Sequence, residues 1–387
     1  MRKFIKYSVR GMLLLAIILA AVAFWQREKI IRLMAVNSLF AQERIVNNFS
    51  NMDTMFLTRL LNRGDGDVSP LPTGTAAALP DAVNDWIRAR SVTSLVVLKD
   101  GAVVAEDYFL DTTPDDLRIS WSVAKSFLSA LFGIVMAEGQ IDSLDDPVTK
   151  YAPSLSGSAY DGATLRNVLN MASGVRFNED YLDFNSDINR MGRVLALGWS
   201  MDGFAAGISD RQYEPGKTWQ YVSIDTHVIG MIIRGATGRG VAELLEEKII
   251  IPMGLKAAPY YVTDGEGVAF VLGGLNVTTR DYARFGQMFL NGGRWNGVQI
   301  VPEDWVNAST RASAPTAAGS ISYGYQWWVP VGANEGEYMA RGIYGQYIYV
   351  NRPLGVVIAT TAADKKFREA GVSDQNIAMF RLIANQI

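Results

Sequence analysis

Between Phe127 and Met136 the chain places apolar side chains on nearly every side of a helix: Phe127, Leu128, Leu131, Phe132, Ile134, Val135 and Met136. Such a helix has no face to give to water, so it must lie at the centre of a domain, with other elements wrapped around it. Gly139 is placed to end it.

Ser122 and Lys125 stand where this helix begins, the only serine–lysine pair at that spacing set at the start of an apolar helix. Residues three apart share a helix face, so the hydroxyl and the amine can meet. A lysine is an ordinary cation in water and cannot take a proton from serine. Burial penalises the ammonium and lowers its pKa, which makes Lys125 a usable base and Ser122 a candidate nucleophile. The backbone NH of Ser122, free at the helix start, is a candidate oxyanion donor.

Composition narrows the alternatives. The 387 residues hold one histidine, His227, and no cysteine, which removes the usual ligands of structural zinc, iron–sulfur clusters and haem, and no cofactor is called for. Carboxylate-bound magnesium or calcium stays open. A net charge of −3, with no basic run beyond the extreme N-terminus, argues against a nucleic-acid surface. His227, among Val228, Ile229 and Met231, reads as a packed helix residue. No GxSxG elbow supports a Ser-His-Asp site. Gly235 to Gly240 follows a helix rather than a strand, so it reads as a helix end and not as a phosphate loop.

Arg2, Lys3, Lys6 and Arg10 precede an uncharged stretch from Gly11 to Trp25, the order of an export signal. Residues 1–25 are therefore read as a signal anchor, with the basic end in the cytoplasm and the catalytic domain on the periplasmic or extracytoplasmic side of the cell membrane. Cleavage near Ala23, giving a secreted or periplasmic protein, is the alternative. Residues 26–79 read as a juxtamembrane segment and linker, amphipathic from Ile30 to Leu61 and turn-rich to Gly74. Truncation near residue 75 is expected to leave a soluble, active domain, less stable if the Ile30 to Leu61 segment packs on it.

Residues 80–387 then form the main domain. Ser94–Leu98 and Val103–Phe109 read as strands around a Lys99-Asp100-Gly101 turn. Leu165–Met171 and Thr226–Ile233 read as helices, as does the stretch from Thr279 that ends before Gly292. Tyr323–Pro330, Glu337–Gly342, Gln346–Val350 and Val356–Thr361 read as late strands, followed by a helix over Gln375–Asn385. The order predicts an α+β fold, an antiparallel sheet flanked by helices. Residues 80–139 and about 272–387 make the α/β lobe, and about 140–271 an inserted helical lobe.

The tetrad Ser122 to Lys125, together with Met171-Ala172-Ser173-Gly174, Glu214-Pro215-Gly216, Gly273-Gly274-Leu275 and Thr279-Arg280-Asp281, resembles the serine β-lactamase and penicillin-recognising superfamily. The likeness is to its class C β-lactamase-related branch, with 6-aminohexanoate-dimer hydrolase and the family esterases. It implies a serine hydrolase that cleaves a small-molecule ester or amide through an acyl-enzyme. Tyr221-Val222-Ser223 resembles the family's second motif, which implies Tyr221 as proton relay and Ser223 beside the substrate. A phenol facing a lysine ammonium can be held as phenolate, or share one proton with it.

The third motif departs from the family pattern. Ala340-Arg341-Gly342 lacks the first-position cation, while Gly342 and the NH of Ile343 fit a second oxyanion donor. Arg341 is the candidate to hold a substrate carboxylate in its place. Tyr181 resembles a substrate-contacting tyrosine of the amide-hydrolysing branch. Of the neighbours Trp327 and Trp328, one at most faces the site, and Trp328 is the candidate. A β-lactamase or D-Ala-D-Ala carboxypeptidase, or a binding protein that kept the fold without turnover, remain as alternatives.

Overall fold

The early and late strand runs join in one sheet. In the computed structural model, which describes residues 2–387, seven antiparallel strands run in the order Ala102–Tyr108, Val92–Lys99, Val356–Ala362, Gln346–Asn351, Glu337–Gly342, Trp328–Val329 and Ser322–Tyr323. Met1 and the side chains of Arg2 and Lys3, part of the basic end read above, lie outside the described residues.

Strand alternation gives this sheet two apolar faces. Val96, Leu98, Ile348 and Val357 turn toward helices Ala124–Ala137 and Thr279–Leu290. Leu95, Val97, Tyr349 and Ile358 turn toward helices Asp81–Ala89 and Val372–Gln386. The helix that sequence places at the centre is buried along almost all its length, and Phe127 stacks on Phe285 with ring centroids 3.6 Å apart. The fold is α+β with antiparallel sheets and an extra helical insertion.

A second antiparallel sheet, in the order Thr58–Leu60, Tyr260–Val262, Leu275–Val277 and Arg118–Ile119, ties the insertion to the body. Its last strand leads into the Ser122 turn, where the Ser120 NH donates to the Leu275 carbonyl at 2.8 Å.

Two expectations need correction. Tyr323–Pro330 is not one strand but two two-residue strands that pair with each other around a reversal with Gln326 at φ +65°. Tertiary bonds override β-propensity there: the Gln326 amide donates to the Leu169 carbonyl at 2.9 Å, and the Ser126 and Ser129 hydroxyls donate to the carbonyls of Gln326 and Tyr325 at 2.8 and 2.7 Å. The final helix starts at Val372 rather than Gln375, behind Gly371.

The stretch expected to be a linker differs more. Leu39, Ile45, Phe49, Met52 and Leu61 are buried in the main core, and Thr58–Leu60 is a strand of the second sheet. The fully buried Arg118 guanidinium donates to the Val46 carbonyl and the Ser50 hydroxyl, each at 2.7 Å. The segment is built into the domain. By contrast, helix Arg2–Trp25 is exposed along its length from Phe4 onward, and Phe4–Trp25 is long and apolar enough to cross a membrane.

Candidate active site

Ser122 sits in a single 3₁₀ turn, Trp121–Val123, directly before helix Ala124–Ala137 rather than within the helix itself. Trp121 enters that turn at φ +43°, a left-handed conformation that costs a bulky residue about 1–3 kcal/mol and persists only where packing enforces it. The packing comes from the N-terminal segment: the Trp121 ring lies 5.7 Å from Phe40 and 5.5 Å from Phe49.

Lys125, one turn further on, is fully buried, and its Nζ donates to the carbonyl of Leu272 at 3.0 Å. Burial pushes its pKa down to about 7, with Glu179 and Asp225 opposing. The amine is thus poised to be neutral in part at neutral pH.

Tyr221 lies beside the pair, its ring centroid 5.7 Å from Lys125 Nζ and stacked on Trp328 at 5.2 Å and 26°. Burial pushes this phenol well above its usual value and the Glu179 carboxylate adds to that, while a hydrogen bond with Ser122 opposes. A resting phenolate, expected as one option from sequence, does not fit this environment, because burial and a nearby carboxylate both disfavour a second negative charge.

Gly342 closes the site from the sheet side. A Cβ there would lie 2.7 Å from the Ser120 carbonyl oxygen and 3.1 Å from the Ser122 nitrogen, so only glycine lets the strand end approach the serine so closely. The chain then turns through Ile343 to Tyr344, held at φ +61° with its ring stacked on Phe40. Ala340 points into the core, where no cation could serve the site. Arg341 faces the other way: its guanidinium lies 5.3 Å over the Trp328 ring, and Nη1 donates to the Ser373 hydroxyl at 2.8 Å.

Ser122, Tyr181, Tyr221, Trp328, Arg341, Gly342 and Ile343 thereby line one cavity of about 400 Å³. Ser223 is buried, and both its NH and its hydroxyl donate to the carboxylate of Glu179. Tyr181 also donates to Glu179, at 2.7 Å. Trp327, by contrast, is packed in the core against Phe289 and Tyr338.

Sequence reasoning passed over Glu179, although it lies two residues from Tyr181, because its partner Ser223 is remote in the chain. It also passed over Asp225, fully buried between the hydroxyls of Tyr160 and Ser173 at 2.8 Å each, where burial raises its pKa to about 7. For Asp225 the available signal was an acid just ahead of the apolar run Val228–Ile233; Glu179, between Asn178 and Asp180, carried none. His227 is buried, pairs with Asp202 at 2.7 Å and lines a different cavity from Ser122, so it is not arranged as a base for that serine.

Comparison with known proteins agrees with this architecture. Residues 83–378 match the Beta-lactamase family model. The 6-aminohexanoate-dimer hydrolase of Paenarthrobacter ureafaciens is 30% identical over 328 residues, covering 80% of this chain and 83% of that protein. A Bacillus anthracis structure assigned as a 6-aminohexanoate-dimer hydrolase superposes with a TM-score of 0.75 at 24% identity, covering 90% of this chain and 95% of that one. EstCE1, a hydrolase with promiscuous acyltransferase activity, shares the fold at a TM-score of 0.60 and 12% identity, over 78% of this chain and 96% of its own.

Fold and family together define an enzyme of the serine-hydrolase type. The chain belongs to the β-lactamase family, in its penicillin-recognising superfamily, and is related to 6-aminohexanoate-dimer hydrolase and the β-lactamase-like esterases.

Proposed function

We propose that this enzyme cleaves an ester or amide through an acyl-enzyme on Ser122, with Lys125 and Tyr221 carrying the proton. The observation that supports it is the buried amine of Lys125, one turn from Ser122, whose pKa of about 7 leaves a neutral base available. Neutral Lys125 takes the Ser122 proton as the hydroxyl attacks the carbonyl carbon. The backbone NH groups of Ser122 and Ile343 are assigned to the developing oxyanion. Tyr221, as a neutral phenol, gives its proton to the leaving oxygen or nitrogen and regains one from Lys125. Water, deprotonated by the same pair, then attacks the acyl-enzyme, releasing the acid and restoring Ser122.

Arg341, Trp328, Tyr181, Gly342 and Ser223 are assigned to the substrate side of this site. Arg341 stands in the cavity but already holds Ser373 and covers Trp328, which makes a tight grip on a β-lactam carboxylate less favourable than small-ester hydrolysis. The name of the Paenarthrobacter relative keeps amides within the substrate class. Helix Phe4–Trp25 supports a membrane anchor, with the domain outside the cytoplasm.

Incubation of the full-length protein with a fluorophosphonate, followed by peptide mass spectrometry, tests the proposal. An adduct on Ser122 is expected, and its loss in Ser122→Ala. Hydrolysis without modification of Ser122 would refute it.

A further inference from the structure

Ser122 borders two cavities that differ in charge. One carries Glu179, Arg341, Arg368 and Glu369 among its aromatic walls. The second, of about 110 Å³, holds no charged side chain: Leu39, Phe40, Met52 and Phe56 of the N-terminal segment face Met191 and Phe270 across it. Tyr221 lines the charged cavity and not the apolar one. A group that receives its proton from Tyr221 therefore departs into the charged cavity. That leaves the apolar cavity, which Ser122 also lines, for the other substituent of the carbonyl carbon.

We infer that the apolar cavity is an acyl subsite, and that the substrate is an amphiphile joining an apolar acyl chain to a polar or charged leaving group. This rests on the acyl-enzyme reading of Ser122 and adds the substrate class to it. The wall formed by Leu39 and Phe40 follows directly on helix Arg27–Ser38, whose Val36 also lines the cavity, and that helix continues from the exposed apolar helix Arg2–Trp25. The subsite is thus built by the segment that leaves the proposed membrane anchor, where amphiphiles concentrate. Burying each methylene of the chain favours binding by about fourfold.

Gly192 offers a clean test. It lines the cavity from helix Asp187–Leu197, and a Cβ there would meet nothing within 4 Å, so a side chain can leave the backbone at this point without a clash. Replacing glycine within a helix also raises helix propensity. The full-length protein and Gly192→Phe, both in phosphatidylcholine nanodiscs, are assayed on two series: p-nitrophenyl esters from acetate to octanoate, and acetates of alcohols from ethanol to octanol. For the parent, kcat/KM is expected to rise with acyl length through at least hexanoate. In Gly192→Phe the hexanoate-to-acetate ratio should fall about tenfold or more, the scale of losing one methylene of pocket. Met52→Trp, filling the cavity from the other wall, should do the same.

The alcohol series should keep its length dependence in both variants. If instead the alcohol series responds and the acyl series does not, the cavity takes the leaving group and the inference is overturned. A parent with no acyl-length preference overturns it as well. Failure of the underlying reading looks different: esters would turn over, or not, without any acyl mass on Ser122.

Discussion

The amine of Lys125 and the carbonyl of Leu272 meet at 3.0 Å in a site from which bulk water is excluded. A carbonyl accepts from lysine in either charge state, so the bond orients the amine without forcing it to stay protonated. Desolvation then sets its titration near neutrality. The sign follows: the amine is charged and inactive as a base below about pH 7 and neutral above it. The rate of Ser122 acylation, measured as kcat/KM on a neutral ester, should climb through about pH 7 and level off above it. Lys125→Ala should abolish that limb. A profile flat from pH 5 to 9 would contradict the assignment.

On the mechanism proposed above, Tyr221 and Lys125 serve one proton path. Tyr221→Phe should lower kcat by about 10²–10⁴ while leaving the fold intact. Adding Lys125→Ala should cost far less than the product of the two losses, since the second substitution removes a relay already broken. Steady-state kinetics of the two single variants and the double variant checks this. Multiplicative losses would mean two independent roles.

Gly342→Ala should cripple turnover, because its methyl would press on the Ser120 carbonyl and the Ser122 nitrogen and push the strand end away from the serine. The effect should fall on kcat more than on KM, as expected where transition-state contacts are lost. Parental kcat in the Gly342→Ala enzyme would show that this strand end takes no part in the reaction.

Truncation distinguishes the anchor from the segment after it. Removal of residues 1–26 should leave the domain folded and active, since helix Arg2–Trp25 contributes no buried side chain from Phe4 onward. Removal through residue 75 strips Leu39, Ile45, Phe49, Met52 and Leu61 from the core, at about 1.5–3 kcal/mol for each buried side chain. It also deprives the buried Arg118 of its acceptors Val46 and Ser50, and a hydrogen bond to a charged group contributes about 1.5–3 kcal/mol. The loss is comparable with the whole stability of a domain, about 5–15 kcal/mol, so this form should be unfolded by circular dichroism.

That contrast marks how far the sequence was legible. The all-apolar helix, the serine and lysine at its start, and the alternating strands from Glu337 to Thr361 could be read because their signals are local: periodicity, spacing and turn residues. The segment from Ile30 to Leu61 could not, because an amphipathic stretch beside an apolar anchor looks the same whether its apolar face meets a lipid surface or a protein core. The pairing that decides, Thr58–Leu60 with Tyr260–Val262, spans about 200 residues. For the same reason Glu179 was overlooked, since it becomes part of the site only when folding brings it to Ser223. Trp327 and Trp328 illustrate a smaller limit: alternation allows at most one of them to face the cavity, and the structure lines the cavity with Trp328 while Trp327 packs in the core.

The central claim is that Ser122 becomes acylated during turnover, and intact-protein mass spectrometry of enzyme quenched during steady-state hydrolysis of a p-nitrophenyl ester tests it most directly. A mass increase equal to the acyl group is expected, mapped to the peptide bearing Ser122 and accumulating further in a variant slowed in deacylation. Ser122→Ala should show neither the adduct nor hydrolysis. Turnover by Ser122→Ala within tenfold of the parent, or an acyl group mapped to another residue, would contradict it.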